Sequence, residues 1–163
     1  MVAGFVVSDP VFTSGRAEAQ QLPVPVTTVL SGSCEALTSL RIENTTIVFA
    51  QVVAAGRFVP PAGGGRLEAS ALPEFCRVAG TTRPAIKFEV WLPTSTWNGK
   101  FQGVGNGANA GSIGYGAMAT ALKRGYATAS TDTGHQSENA RDGLWAIGHP
   151  ELLEDFGYRA IHG

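Results

Sequence analysis

The sequence predicts an α/β fold, and three neighbouring segments carry that prediction. An apolar run at 101–104 precedes a glycine-rich stretch, a helix-like segment follows at 117–124, and a strand-like segment follows at 126–130. A strand, a helix and a second strand joined in this way normally lie with the two strands parallel. The 163 residues suit one domain, and their 44% hydrophobic and 15% charged content is typical of a globular protein.

Charge and hydropathy exclude two classes of partner. The formal net charge of −1 gives no electrostatic argument for binding nucleic acid. No apolar segment has the length that a membrane-spanning helix needs. Neither nucleic acid nor a membrane is therefore an expected partner.

The first residues resemble an export signal. Ala17-Glu18-Ala19, followed by Gln20, has the small-x-small pattern of a signal cleavage site, although no basic region precedes it. We expect residues 1–19 to be a leader, either a truncated signal peptide or a disordered segment. Residues 20–163 then form the folded part, which begins with an extended lead-in at 20–33.

The first half of that part predicts one short helix and two strands. Residues 35–40 suit one or two helical turns, and the β-branched run 45–53 suits a strand. After a proline- and glycine-rich loop at 60–65, residues 85–92 alternate between two faces, which is the pattern of a second strand. A turn at 94–99 then predicts an antiparallel hairpin between 85–92 and 100–104.

The second half predicts two helices. Gly125 follows the segment 117–124 as a C-terminal cap, and Pro150 after His149 suits the first turn of another helix. A domain that stopped at Gly163 would leave this last helix and a sheet edge uncovered. The chain is therefore expected to be truncated.

The two cysteines, Cys34 and Cys76, are either free and buried or paired. As a pair they would close a loop of roughly 43 residues, worth about 4 kcal/mol on the chain-entropy model. The possible leader and the glycosylation triplet Asn44-Thr45-Thr46 favour an oxidising compartment and hence the disulfide.

Seven glycines lie among the twenty residues 97–116, between the predicted strand and helix. Backbone N–H groups in such a loop can hold a phosphate, a carboxylate or the oxyanion of an acyl-transfer intermediate. Gly103, Gly105 and Ala108 also match the dinucleotide fingerprint G-x-G-x-x-A, and Asp132 could then bind the ribose. Three further glycines delay the helix, however, and the predicted hairpin does not suit that motif.

Asp132 and His135 follow the strand at 126–130. They could belong to a catalytic or metal site, but an acid at such a position more often organises a turn, so a structural loop is favoured. The sequence contains no G-x-S-x-G elbow and no metal-spaced cluster of cysteines and histidines. The residues alone thus predict an anion-binding loop without a nucleophile.

Six segments in the same order resemble the tannase and feruloyl esterase family, which includes mono(2-hydroxyethyl) terephthalate hydrolase. They are F-C-R-V-A-G (75–80), I-K-F-E-V-W-L-P (86–93), W-N-G-K-F-Q-G-V-G-N-G (97–107), R-G-Y-A-T-A-S-T-D-T-G-H (124–135), W-A-I-G-H-P-E (145–151) and D-F-G-Y-R-A-I-H (155–162). The resemblance covers a little over half of the chain, and Cys34 fits the family's N-terminal cysteine.

The resemblance implies the N-terminal part of an α/β-hydrolase that is secreted or periplasmic and cleaves esters of phenolic acids. It places the backbone N–H of Gly107, or of Ala108 beside it, in the oxyanion hole, pairs Cys34 with Cys76, and leaves Asp132 and His135 in a structural loop. The C-S-x-G-G elbow with its serine, the other triad residues and the calcium site of the lid would all follow Gly163, so no cofactor is expected in this segment. At 108–109 the chain has Ala-Asn where the family usually has glycine and an aromatic residue.

Two other classes of function stay open at this point. A dinucleotide-binding domain would use the loop of Gly103, Gly105 and Ala108 together with Asp132. A non-catalytic module would bind phenolic or sugar ligands with the chain as it stands.

Overall fold

A computed structural model describes residues 33–61, 67, 71–137, 139 and 141–162. The strands are β1 (Thr45–Val53), β2 (Phe75–Thr82), β3 (Ile86–Pro93), β4 (Phe101–Val104) and β5 (Ala127–Thr131). Helix α1 spans Tyr115–Lys123, short 3₁₀ helices span Cys34–Ser39 and Leu144–Ala146, and a helical segment near the end comprises α2 (Pro150–Glu154), a π-helical turn (Asp155–Arg159) and α3 (Ala160–His162). None of the helices in these ranges has the length and apolar character needed to cross a bilayer.

Several expectations concern residues outside the described ranges. The leader at 1–19, most of the lead-in at 20–33 and the loop residues 62–65 belong to this group.

The five strands form one mixed sheet in the order β1-β2-β3-β5-β4. The β1–β2, β2–β3 and β3–β5 pairs are antiparallel, and the β4–β5 pair is parallel. The connection from β4 through α1 to β5 is therefore the parallel unit that the sequence predicts. This unit determines where the glycine-rich loop lies, because the loop joins β4 to α1.

The predicted hairpin between 85–92 and 100–104 is wrong. Strand β3 pairs on one edge with β2 and on the other with β5, so β5 lies between β3 and β4. The turn at 94–99 permits a local hairpin, but β5 is the more buried strand, with Ala127, Thr128 and Ser130 buried, whereas no residue of β4 is buried. Its place between β3 and β4 gives the backbone of β5 hydrogen-bond partners on both edges, which an edge position would not do.

Strand β2 was not predicted, and Gly80 explains why its pattern is weak. A Cβ atom at Gly80 would lie 2.4 Å from Cζ of Phe88 on the neighbouring strand, so the Phe88 ring occupies the space of the missing side chain. A glycine inside a strand lowers the apparent strand propensity while permitting this close approach.

The core lies on both faces of the sheet. On the face covered by α1, the buried cluster consists of Phe58, Leu72, Phe75, Trp91, Tyr115, Met118, Ala119 and Leu122. On the other face, Ala50, Cys76 and Val78 pack against the 3₁₀ helix that carries Cys34. Cys34 and Cys76 form a disulfide with their Cα atoms 5.6 Å apart, which confirms the predicted pairing.

Helix α1 ends where Gly125 predicts. This glycine has a φ of +79°, and a Cβ atom on it would lie 2.5 Å from the carbonyl oxygen of Thr96. The left-handed conformation and the close approach both require glycine.

Glu89 lies at the centre of a buried polar cluster beneath α1. Its side chain accepts hydrogen bonds from Arg77, from Trp91 Nε1 at 2.8 Å and from the Tyr115 hydroxyl at 2.9 Å. Burial and the nearby Glu89 carboxylate raise the pKa of Tyr115, so the phenol stays protonated and donates. The cluster therefore attaches the first residue of α1, and with it the exit of the glycine-rich loop, to strands β2 and β3.

Candidate functional site

The candidate site is the glycine loop, residues 105–114, which runs from β4 to α1. The N–H of Ala110 donates to the carbonyl oxygen of Gly107 at 3.1 Å and closes a turn. Among the described residues, no acceptor receives the N–H of Gly107 or of Ala108, and both residues are exposed. The turn thus contains two adjacent backbone donors that are not used within the described part of the chain.

Ala108 lies in this turn with a φ of +49°, in the left-handed region. A residue with a Cβ atom pays roughly 1–2 kcal/mol for that conformation, so the backbone here is one that glycine adopts more easily. The alanine, where the resemblance implies glycine, therefore occupies a backbone conformation that glycine adopts at lower cost.

Two polar contacts fasten the ends of the glycine loop to β5. The Asn106 side-chain amide donates to the Thr131 carbonyl at 2.9 Å, and the N–H of Gly114 donates to Ser130 Oγ at 3.0 Å. These contacts hold the loop over the carboxyl end of the parallel pair of strands, the usual position of binding loops in α/β proteins.

The middle of the loop packs against His135. The Nε2 atom of His135 lies 3.0 Å from the Asn109 carbonyl oxygen. At Gly111, a Cβ atom would lie 2.4 Å from the backbone oxygen of His135, so no side chain fits between the two segments. An isolated bridge between Gly111 and Ser137 continues the contact.

The Asp132 side chain organises the turn beneath the loop. Its Oδ1 accepts the backbone N–H of Lys87 at 2.9 Å and that of Gly134 at 3.0 Å. Burial raises the pKa of Asp132, and the hydrogen bonds from Gly134 and Lys87 oppose that rise only in part. These contacts are those of a structural turn, in which the carboxylate accepts hydrogen bonds from backbone N–H groups.

Replacing Asp132 by alanine is expected to lower the free energy of unfolding by about 1–3 kcal/mol, because part-buried backbone N–H groups lose their acceptor. Asp132→Asn keeps an acceptor oxygen of the same shape and is expected to cost less than about 1 kcal/mol at neutral pH. Urea unfolding of both variants measures the difference. Equal losses in the two variants would contradict the acceptor role.

The difference in the free energy of unfolding between the wild type and Asp132→Asn should also depend on pH. Since the pKa of Asp132 is raised in the folded state, the folded protein binds this proton more tightly than the unfolded chain. The stability that this group contributes is therefore greatest below the ordinary carboxyl pKa and decreases as the pH rises through the folded value. As the pH is raised from about 4 to about 7, the wild type should therefore lose stability relative to Asp132→Asn. The opposite trend would contradict the assignment.

Comparison with known families identifies the chain. A family model described as "Tannase and feruloyl esterase" matches residues 69–163, which include β2 to β5, the glycine loop and the final helices. This chain belongs to the tannase and feruloyl esterase family.

Several curated relatives are similar to this family member over most of its length. An uncharacterized esterase of Xanthomonas campestris pv. campestris is 44% identical over 80% of the chain, and the match covers 23% of that relative. A probable feruloyl esterase B-1 of Neosartorya fischeri is 37% identical over 77% of the chain and 24% of its own length. Feruloyl esterase C of Talaromyces stipitatus is 33% identical over 81% of the chain and 26% of its own length. The chain spans about a quarter of the length of these relatives.

Solved structures agree with this family membership. The crystal structure of feruloyl esterase B from Aspergillus oryzae matches with a TM-score of 0.66 and 34% identity, covering 79% of this chain and 26% of that one. The crystal structure of an esterase from the same organism matches with a TM-score of 0.67 and 28% identity, covering 79% and 27% of the two chains. The mixed sheet with its few helices thus matches part of known esterase structures.

The geometry of this tannase and feruloyl esterase family member does not suit dinucleotide binding. Helix α1 begins at Tyr115, seven residues after Ala108, whereas the fingerprint places the helix start inside the motif. Asp132 is 4% exposed and its Oδ1 already accepts two backbone N–H groups, so it is not placed to bind a ribose. The strand before the loop does run parallel to β5, which removes the objection based on the predicted hairpin.

No group of three or more histidine, cysteine or acidic side chains in the described ranges could hold a metal ion. The calcium that the family resemblance implies therefore has no fitting ligand set among these residues, and we assign it no role in this segment.

Sequence reasoning selected Gly107, Ala108, Asp132 and His135, and the structure places all four around one loop and the turn beneath it. The sequence reasoning missed the anchoring residues Asn106, Ser130 and Gly111. Each of them acts through contacts with residues at least 16 positions away along the chain, and no local pattern signals such contacts.

Proposed function

We propose that the chain forms the N-terminal part of a secreted or periplasmic serine esterase of the α/β-hydrolase fold that cleaves esters of phenolic acids. The observation that carries the proposal is the pair of N–H groups at the exposed residues Gly107 and Ala108, which have no acceptor among the described residues, in a family of tannases and feruloyl esterases. Similarity to feruloyl esterase C of Talaromyces stipitatus and to the probable feruloyl esterase B-1 of Neosartorya fischeri supports the substrate class.

The chemistry would divide between this segment and the rest of the enzyme. A serine outside these 163 residues attacks the ester carbonyl, an acyl-enzyme forms, and water then releases the phenolic acid. As the carbonyl becomes tetrahedral, its oxygen gains negative charge, and the glycine loop supplies a backbone donor to it. A preorganised donor of this kind raises the rate about 10²- to 10³-fold.

The edge of β4 that is unpaired in the described part of the sheet suggests where the strand that precedes the serine would join the sheet. In the described part of the sheet, β4 pairs only with β5, and Phe101 on it is 62% exposed. A further parallel strand on this edge would end beside the start of the glycine loop, because carboxyl ends of parallel strands meet at one edge of a sheet. A serine just after such a strand would then face the two N–H groups.

The test is to sequence the reading frame downstream of Gly163, express its whole product, and assay hydrolysis of methyl ferulate and methyl gallate. We expect a serine elbow of the C-S-x-G-G type in frame and release of the free acid, whereas the 163-residue chain alone should be inactive. A stop codon directly after Gly163, or an extended product that hydrolyses neither ester, would overturn the proposal. Binding of methyl ferulate to the isolated chain, measured by calorimetry, would then favour a non-catalytic module.

A further inference from the structure

We propose that His135 is a positioning residue that orients the N–H of Ala108 through two intervening peptide groups. The inference rests on the proposed function, since it assumes that this N–H meets an oxyanion. It assigns the donor to Ala108 rather than Gly107 and gives the buried histidine a role in catalysis without contact with substrate.

The first step is the contact between His135 and the Asn109–Ala110 peptide group. A carbonyl oxygen only accepts, so Nε2 of His135 carries the proton in its 3.0 Å contact with the Asn109 oxygen. The N–H of Ala110 belongs to the same planar peptide group and donates to Gly107 at 3.1 Å. This peptide group is therefore held at both its oxygen and its nitrogen.

The second step is the Gly107–Ala108 peptide group. Its carbonyl oxygen receives the N–H of Ala110, and its own N–H is that of Ala108. In a trans peptide the N–H points away from the C=O, so fixing the oxygen also fixes the direction of the Ala108 donor. Hydrogen-bonded chains of this kind also polarise one another, which strengthens the terminal donor.

His135 is itself held firmly. Its side chain stacks on Trp145 with ring centroids 3.7 Å apart and meets the edge of Phe156 at 5.5 Å. Its Nδ1 lies 3.3 Å from the Thr133 hydroxyl, and the residue is 6% exposed. With Nε2 engaged by the Asn109 oxygen and the ring enclosed, His135 is not placed to exchange protons with a substrate.

The experiment uses the whole reading-frame product and compares His135→Ala with His149→Ala. His149 is the matched control because its side chain is 58% exposed and pairs only with Glu151 among the described residues. We expect His135→Ala to lower kcat roughly 10- to 100-fold with little change in KM, less than the loss of an entire donor. We expect His149→Ala to match the wild type, and His135→Gln, whose amide N–H can reach the Asn109 oxygen, to recover part of the rate.

A second readout separates positioning from general damage. An arylboronic acid forms a tetrahedral adduct that mimics the intermediate, so its affinity should fall in His135→Ala in proportion to kcat/KM. A folded His135→Ala variant with wild-type kcat, or equal rates for His135→Gln and His135→Ala, would overturn the inference. An inactive wild-type product would instead overturn the proposed function.

Discussion

Replacing Glu89 by alanine is expected to lower the free energy of unfolding by about 3–5 kcal/mol, the cost of leaving a buried charge without its partner. The Arg77 guanidinium, with a side chain 13% exposed, would lose its ion pair, and the Trp91 and Tyr115 donors would lose their acceptor. Because whole domains are stable by only about 5–15 kcal/mol, this single change should remove much of the stability. Urea unfolding followed by tryptophan fluorescence measures it.

Two variants control for this effect. Glu89→Gln keeps an acceptor oxygen but loses the charge, so its cost should be smaller than that of alanine. Glu43→Ala removes an exposed glutamate and should stay within about 0.5 kcal/mol of the wild type. A Glu89→Ala variant as stable as Glu43→Ala would show that the buried cluster does not stabilise the fold.

Removing the disulfide should lower the free energy of unfolding by an amount similar to that expected for Glu89→Ala. Cys34 and Cys76 are 42 positions apart, and the chain-entropy model gives about 4 kcal/mol for a loop of that length. The bond also holds the 3₁₀ helix Cys34–Ser39 against the sheet, where Leu37 packs against the cluster of Ala50, Cys76 and Val78. The double variant with serine at both positions should therefore unfold at a markedly lower urea concentration than the wild type.

Reduction provides the control for that prediction. A thiol reductant should shift the unfolding midpoint of the wild type towards that of the double variant and leave the double variant unchanged. A wild-type midpoint that does not respond to reduction, with the thiols shown to be free, would contradict the stabilising role.

The candidate site was predicted in part because chemistry-bearing residues are concentrated in a short stretch. The glycines of 103–116 suggest a backbone binding loop, and the acid at Asp132 suggests a turn. The relay from His135 to Ala108 could not be predicted in this way. It depends on which carbonyl oxygen approaches Nε2, and residues 26 positions apart along the chain make that contact.

The local sequence by itself determined the strands β1, β3, β4 and β5, the end of α1 at Gly125 and the parallel connection from β4 to β5. These features follow from side-chain alternation, backbone preference and capping, which act over a few neighbouring residues. Only the tertiary structure decided that β5 rather than β4 pairs with β3, that β2 accommodates Gly80 under the Phe88 ring, and that Glu89 is buried among three donors. The physical reason is that a strand's pairing edge and a buried polar group's partners are chosen by the packing and hydrogen bonding of distant segments, which no local pattern contains.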